Sequence, residues 1–223
     1  NKMWVLGGIA NGVAQHDVWY STSTSGNSWT KVNGAAPWAA RYDQTALEHN
    51  NRIYVLGGQD NSAAKNDVWS SGDGVIWYRA TNNAQWNARR GSTAVSFNGM
   101  IWLLGGKSLN GTLFNDVWNS TDGGTWTRAT ANAAWSPRYQ PQAIVYDNKI
   151  WIMGGTDTTG DKNDVWYSVD GKTWTQATGN ANWDPRSPQA LVFNNTMWIV
   201  GGSGYNDVWY ASSPPPPVQK PVA

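Results

Sequence analysis

Apolar residues in this chain come in runs of four or five between polar turns, and helical 3.6-residue spacing appears nowhere. In the stretch from Arg138 to Trp183, Gln142 to Tyr146 is one such run, Asp147-Asn148 is a turn, and Lys149 to Met153 is a second run closed by Gly154-Gly155. Eight variable residues lead to Asp164-Val165-Trp166-Tyr167-Ser168, the turn Asp170-Gly171, and Thr173-Trp174-Thr175-Gln176. The pattern predicts two hairpins, hence four antiparallel strands, with Asp-Gly suited to the second turn because positive φ is cheap for those residues. The unit recurs. Gly-Gly pairs begin at Gly7, Gly57, Gly105, Gly154 and Gly201, spaced 50, 48, 49 and 47 residues apart. Asp-Val-Trp follows each pair, at Asp17, Asp67, Asp116, Asp164 and Asp207, and Trp29, Trp77, Trp126 and Trp174 form a later register.

A four-stranded unit of about 48 residues, repeated with Gly-Gly and aromatic signatures, predicts an all-β fold, a β-propeller with five blades. It occupies residues 1–212, and 213–223 is a Pro-rich linker or tail. The Gly-Gly after the second strand, the Trp on the fourth and the Arg ahead of the next first strand resemble the Kelch repeat family over residues 1 to 210. Asn-Asp-Val-Trp, as at Asn66 to Trp69, replaces that family's usual third-strand residues. Hairpins such as Ser168 to Trp174 also resemble the Asp-box of sialidases shortened by one residue. In those enzymes the box is a fold element remote from the chemistry, so this resemblance supports the propeller and not the activity.

The first and last blades are expected to be incomplete. Asn1-Lys2-Met3-Trp4 aligns with Asn148-Lys149-Ile150-Trp151, which leaves the first blade without an inner strand. Pro214 to Pro217 stand where the last blade's second hairpin would be, which leaves it without an outer strand. By comparison with Trp126 to Asp147, 22 upstream residues would complete five blades. A neighbouring chain or the tail is the other source of the edge, and self-association through unpaired edge strands is expected.

Thirteen of the seventeen Trp fall on predicted second, third or fourth strands, where large rings fill the space between blades away from the axis. Ala46, Ala94, Ala143 and Ala190 lie on the innermost strands, where blades crowd. The other four, Trp38, Trp86, Trp135 and Trp183, lie in the connections between blades, each three residues before Arg41, Arg89, Arg138 or Arg186. These eight are the candidate ligand-binding residues: a flat ring beside a guanidinium stacks a sugar and holds its hydroxyls or carboxylate. Packing is the other reading, in which each Trp wedges between blades and each Arg pairs with an Asp such as Asp67 or Asp116. The singular residues Arg90, His16, His49, Glu48, Asp43 and Asp184 are expected in solvated loops.

Net charge +1 offers no field for phosphates, so nucleic acid is not an expected partner. No apolar run reaches membrane-spanning length. Zero Cys and two His give no ordinary zinc ligand set and exclude the Cys-dependent copper centre of the galactose oxidase branch that the resemblance brings to mind; no metal or cofactor is expected. The repeated Asp share one environment, the wrong signature for paired carboxylates, and their expected task is to cap the turn entering the third strand. A surface rich in Asn, Ser, Thr and Gly with a single Glu suggests an exported bacterial protein, extracellular or on the cell surface. The expected function is therefore non-catalytic, a binding or scaffold domain for a glycan or protein ligand. The alternatives are a structural subunit of an extracellular assembly and a sugar mutarotase or epimerase.

Overall fold

The computed structural model describes residues 2–33 and 36–212; the tail proposed at 213–223 and residue Asn1 lie outside the described residues. The chain is an all-β, five-bladed propeller. Blade one holds β1 (Met3–Ala10), β2 (Val13–Ser21) and β3 (Thr30–Asn33), and blade two holds β4 (Thr45–His49), β5 (Arg52–Leu56), β6 (Val68–Ser71) and β7 (Trp77–Thr81). Blade three holds β8 (Thr93–Phe97), β9 (Met100–Leu104), β10 (Val117–Ser120) and β11 (Thr127–Thr130). In blade four, β12 (Gln142–Tyr146) and β13 (Lys149–Met153) pair with β16 (Val165–Ser168) and β17 (Thr175–Thr178). A small hairpin, β14 (Thr156–Asp157) with β15 (Gly160–Asp161), projects from the same blade. Blade five holds β18 (Gln189–Phe193), β19 (Thr196–Gly202) and β20 (Tyr205–Ser212). The inner strands β4, β8, β12 and β18 follow one another around the axis. Among the described residues, blades one and five have three strands: β1 is innermost in the first, and β20 outermost in the last.

The two turns of each blade are built differently. Between the first and second strands both central residues are left-handed, as at Asn50-Asn51, Asn98-Gly99, Asp147-Asn148 and Asn194-Asn195. This is the backbone of a type I′ turn, whose twist matches the strands it joins. The Asp-Gly turn uses side chains instead. Ser168 Oγ accepts the N–H of Gly171 at 2.8 Å, and Asp170 Oδ1 accepts the N–H groups of Lys172 and Thr173, both at 2.8 Å. Of Asp170 and Gly171, only Gly171 has positive φ, so the turn is an Asx type and not the hairpin turn its dipeptide suggests.

Blades pack through their Trp-bearing faces. Trp102, Trp126, Trp151 and Trp174 are buried with aliphatic side chains of the second strands such as Leu104, Ile150 and Ile152. Trp29 departs from the expected core set: it is 39% exposed, because the face it presents belongs to the first blade and has no blade against it among the described residues. His49 departs in the other direction. It is buried, with Nδ1 2.8 Å from Ser96 Oγ and Nε2 3.2 Å from Thr121 O, and so joins blades two and three. Ala46, Ala94 and Ala143 face the axis and line its channel. The eight-residue segment after the first Gly-Gly does not loop out; β1 and β2 continue through it as a long hairpin to Ala10 opposite Val13.

Close packing leaves no room for a side chain at several glycines, Gly171 among them. A Cβ at Gly171, at φ +69°, would lie 2.1 Å from Trp102 of the preceding blade, whereas one at Gly99, at φ +72°, would meet nothing within 4 Å. Gly171→Ala is therefore expected to cost about 1–3 kcal/mol more than Gly99→Ala, since both share the backbone strain and only the first overpacks. Equal shifts in urea midpoint for the two variants would contradict this.

Candidate functional site

The eight residues singled out between the blades lie inside the molecule. Trp38, Trp86, Trp135 and Trp183 are 1–2% exposed, and Arg41, Arg89, Arg138 and Arg186 are fully buried. Each Arg forms a two-toothed pair with the Asp of the following blade. Arg89 Nη1 and Nη2 reach Asp116 Oδ1 and Oδ2 at 2.6 and 2.9 Å, Nη1 also donates to Gly105 O at 3.0 Å, and Nε donates to Asn87 O at 3.0 Å. Arg41 with Asp67, Arg138 with Asp164 and Arg186 with Asp207 repeat the arrangement. The same Asp accepts the indole N–H two residues on, as Trp118 Nε1 to Asp116 at 2.8 Å. In blades two to five the repeated Asp thus anchors a guanidinium and an indole instead of capping a turn.

The Asn before it completes the third-strand motif. Asn115 Nδ2 donates to the carbonyls of Ala133 and Trp135 at 3.0 and 3.1 Å, fixing the loop that carries the wedge. Asn66 and Asn163 do the same in their blades. Trp38, Trp86 and Trp135 then stand edge-on, at 89°, to Trp77, Trp126 and Trp174 of the next blade. No ring face and no guanidinium donor of this set is presented to solvent, so the geometry gives these residues the packing role.

Burial opposes ionisation of Asp67 and Asp164, but the hydrogen bonds and charge of Arg41 and Arg138 outweigh it and hold both carboxyls below the usual range. For Asp207 the Arg186 hydrogen bond dominates and holds the carboxyl at about 2.

Where the repeat is broken, at the mouth of the axial channel, the chemistry is different. Asp43, Gly91 and Gln140 occupy equivalent positions just ahead of β4, β8 and β12, all with left-handed backbone, at φ 55°, 57° and 52°. Backbone bonds chain them across three blades: Gly91 N–H to Asp43 O at 2.8 Å, and Gln140 N–H to Gly91 O at 2.7 Å. On this collar, Asp43 Oδ2 accepts from the Tyr139 hydroxyl and, at 3.1 Å, from Arg90 Nη1. The Arg90 guanidinium lies 5.2 Å and the Lys107 ammonium 5.8 Å from the Tyr139 ring centre. Burial, then the hydrogen bond and charge of Asp43, push the Tyr139 pKa well up, so its phenol stays a neutral donor. Below the mouth a cavity of about 480 Å³ is walled by the starts of the inner strands, with Gln44, Ser92, Gln142 and Gln189 among its lining.

Of these residues the sequence singled out Arg90 and Asp43, as loop residues, and gave no reason to join them. Tyr139 was missed. Its signal is the residue after each repeated Arg, which changes from blade to blade: Tyr42, Arg90, Tyr139, Ser187. His16, Glu48 and Asp184 are not part of this cluster. Among the described residues no group of three metal-ligating side chains comes together.

Sheets of this kind around a polar channel, tied by Arg–Asp pairs, form a β-propeller, and a Kelch motif matches residues 40–70. The DUF6242 beta propeller domain matches residues 92–212, more than half of the chain, and the chain belongs to that family. No curated protein matches the sequence.

Two measurements follow from the buried pairs. Trp135→Ala and Trp126→Ala are both expected to cost about 3–5 kcal/mol, since both rings are core; a Trp135 variant that stays near wild-type stability would return that ring to the surface. The Asp67, Asp164 and Asp207 carboxyls have lowered pKa values in the folded state, so their contribution is complete above the unfolded value of about 3.8 and is lost as pH falls through the folded values. The melting temperature should be flat above about pH 5 and fall between about pH 4 and 2. Constancy down to pH 2 would show that the pairs do not stabilise the fold.

Proposed function

We propose that the protein is a non-catalytic binding propeller, an exported bacterial domain, that takes a protein ligand at the channel mouth. The observation that carries this reading is the Asp43–Arg90–Tyr139 cluster, drawn from three blades and absent from the rest of the repeat. Packing needs identical residues in every blade and gains nothing from a cluster built once. A polar peptide suits the mouth: its amides match Gln140 and Gln44, and an acidic side chain meets Arg90 and Lys107. The Kelch motif supports an interaction role. Export rests on the low-charge, Asn- and Ser-rich composition.

A glycan is the second reading. The amide and hydroxyl groups of the channel favour a hydroxylated ligand, although the flat rings that would stack a sugar are buried between blades.

A displayed peptide library and a glycan array, each screened with wild type and Arg90→Ala, test both readings. The expected outcome is peptide ligands whose binding weakens by about 1.5–3 kcal/mol in the variant, the worth of a hydrogen bond to a charged group. Glycan ligands with the same dependence would select the second reading. Ligands indifferent to Arg90→Ala, while the variant melts like wild type, would remove the mouth as the site.

A further inference from the structure

The residue after a repeated Arg and the residue after a Gly-Gly pair are backbone partners. Tyr42 bridges Gln59, Arg90 bridges Lys107 and Tyr139 bridges Thr156, each through two antiparallel hydrogen bonds. Two of these pairs are neutral, so the backbone contact itself needs no charge at either position. The third sets an arginine opposite a lysine, and like charges directly opposite one another destabilise a strand pair. Both cations also lie against the Tyr139 ring. Lys107 has no counterpart in the other blades, where Ile9, Gln59, Thr156 and Ser203 follow the Gly-Gly pairs.

One carboxylate serves the two cations. Asp43 takes Arg90 Nη1, and the Tyr139 phenol that shares this carboxylate stays neutral. Arg90 Nε is buried without a partner, and among the described residues Arg90 Nη2 and Lys107 Nζ make no hydrogen bond and no ion pair. The cluster therefore keeps one unit of positive charge uncancelled in a half-buried place. Acceptors are unmet beside it. Gln44 Oε1, Gln59 Oε1 and Ser92 Oγ are buried without a hydrogen bond; Gln44 and Ser92 line the cavity below the mouth, and Gln59 is the partner of Tyr42. Outside the indoles, these four residues carry all the buried side-chain polar atoms without a partner among the described residues, so unmet donors and unmet acceptors gather at one end of the axis.

Building on the channel-mouth reading, on which this rests, we propose that Arg90 and Lys107 form a subsite for a single carboxylate of a polypeptide ligand, and that Asp43 sets its selectivity by refusing dianions. The carboxylate takes the donors that Asp43 leaves free, Arg90 Nη2 and Lys107 Nζ. A polypeptide brings both things the mouth lacks: an anion for the cations, and amide N–H groups for Gln44 Oε1 and Gln59 Oε1. One carboxylate cancels the surplus charge, whereas a phosphomonoester, at about −1.5 to −2, would leave negative charge beside Asp43. Asp43 thus makes the site read the number of charges on its ligand. Without it, two cations would accept either anion.

The test titrates the 223-residue chain with small probes that carry one anionic group each. N-acetylglutamate α-amide stands for an acidic side chain, N-acetylglycine for a chain end, glucuronate for a sugar acid, and N-acetyl-O-phosphoserine amide for a phosphate. Binding is read from the Arg90 Nε–H cross-peak in heteronuclear NMR, assigned by its loss in Arg90→Lys. A saturable shift is expected with one or both of the amino-acid carboxylates, and the phosphate probe should bind about tenfold more weakly or worse. Lys107→Gln should weaken the carboxylate probes about tenfold or more, while melting no lower than wild type, since it removes a charged donor and a like-charge opposition together. Asp43→Asn, which keeps an acceptor for Tyr139, should abolish the preference for carboxylate over phosphate. No shift with either amino-acid carboxylate, a shift with glucuronate alone, equal affinity of wild type for carboxylate and phosphate, or indifference to Lys107→Gln overturns the proposal. If library peptides still depend on Arg90 in that event, the channel-mouth reading stands and only the carboxylate subsite falls; if they do not, both fall.

Discussion

Everything in this propeller hangs on a buried guanidinium with a carboxylate opposite it. An arginine taken out of water is costly unless its donors are met with good geometry, and here the partner is planar, charged and matched tooth for tooth. In Arg89 a Gly-Gly carbonyl and a loop carbonyl take further donors. The Asp has a second duty toward the third-strand indole. Loop, next blade and third strand therefore meet at one group, and the wedge Trp three residues earlier is held where it fills the space between sheets. Removing either partner would leave a charge stranded in an apolar interior, which explains why neither varies from blade to blade.

The division between the repeated pairs and the cluster at the channel mouth follows from that constraint. What is used four times is structural, and what is used once sits at the axial mouth. Asp43, Arg90 and Tyr139 rest on a collar whose left-handed backbone turns the chain from the buried Arg into the inner strand. Gly91 has a second reason to be glycine, since a Cβ there would fall 2.1 Å from the Tyr139 ring. The collar is rigid because the buried pairs are rigid. The mouth inherits its precision from chemistry it does not itself display.

Strand positions, blade number and turn sites were legible in the sequence because each rests on local chemistry repeated in register, as Asn50-Asn51 and Asp147-Asn148 show. The fate of the loop Trp and Arg was not legible. A ring beside a guanidinium is what both a ligand site and a wedge require, and only the third dimension shows Arg41 meeting Asp67 across 26 residues. Trp29 and His49 exchanged places relative to expectation because exposure depends on whether a neighbouring blade is present, which no single repeat encodes. Tyr139 stood out in no motif and matters only through Asp43 and Arg90.

The Arg–Asp pairs also have a direction. Each of the four repeated Arg, Arg41, Arg89, Arg138 and Arg186, reaches forward to an Asp 21 to 27 residues later in the chain. A tie that short closes a small loop, at little entropic cost, and needs nothing from the far end of the molecule. Blades can consequently be fastened one after another in the order in which the chain leaves the ribosome, each new third strand locking onto the sheet already formed. Assembly of this propeller is a sequential stacking of neighbours, each blade fastened to the one before it.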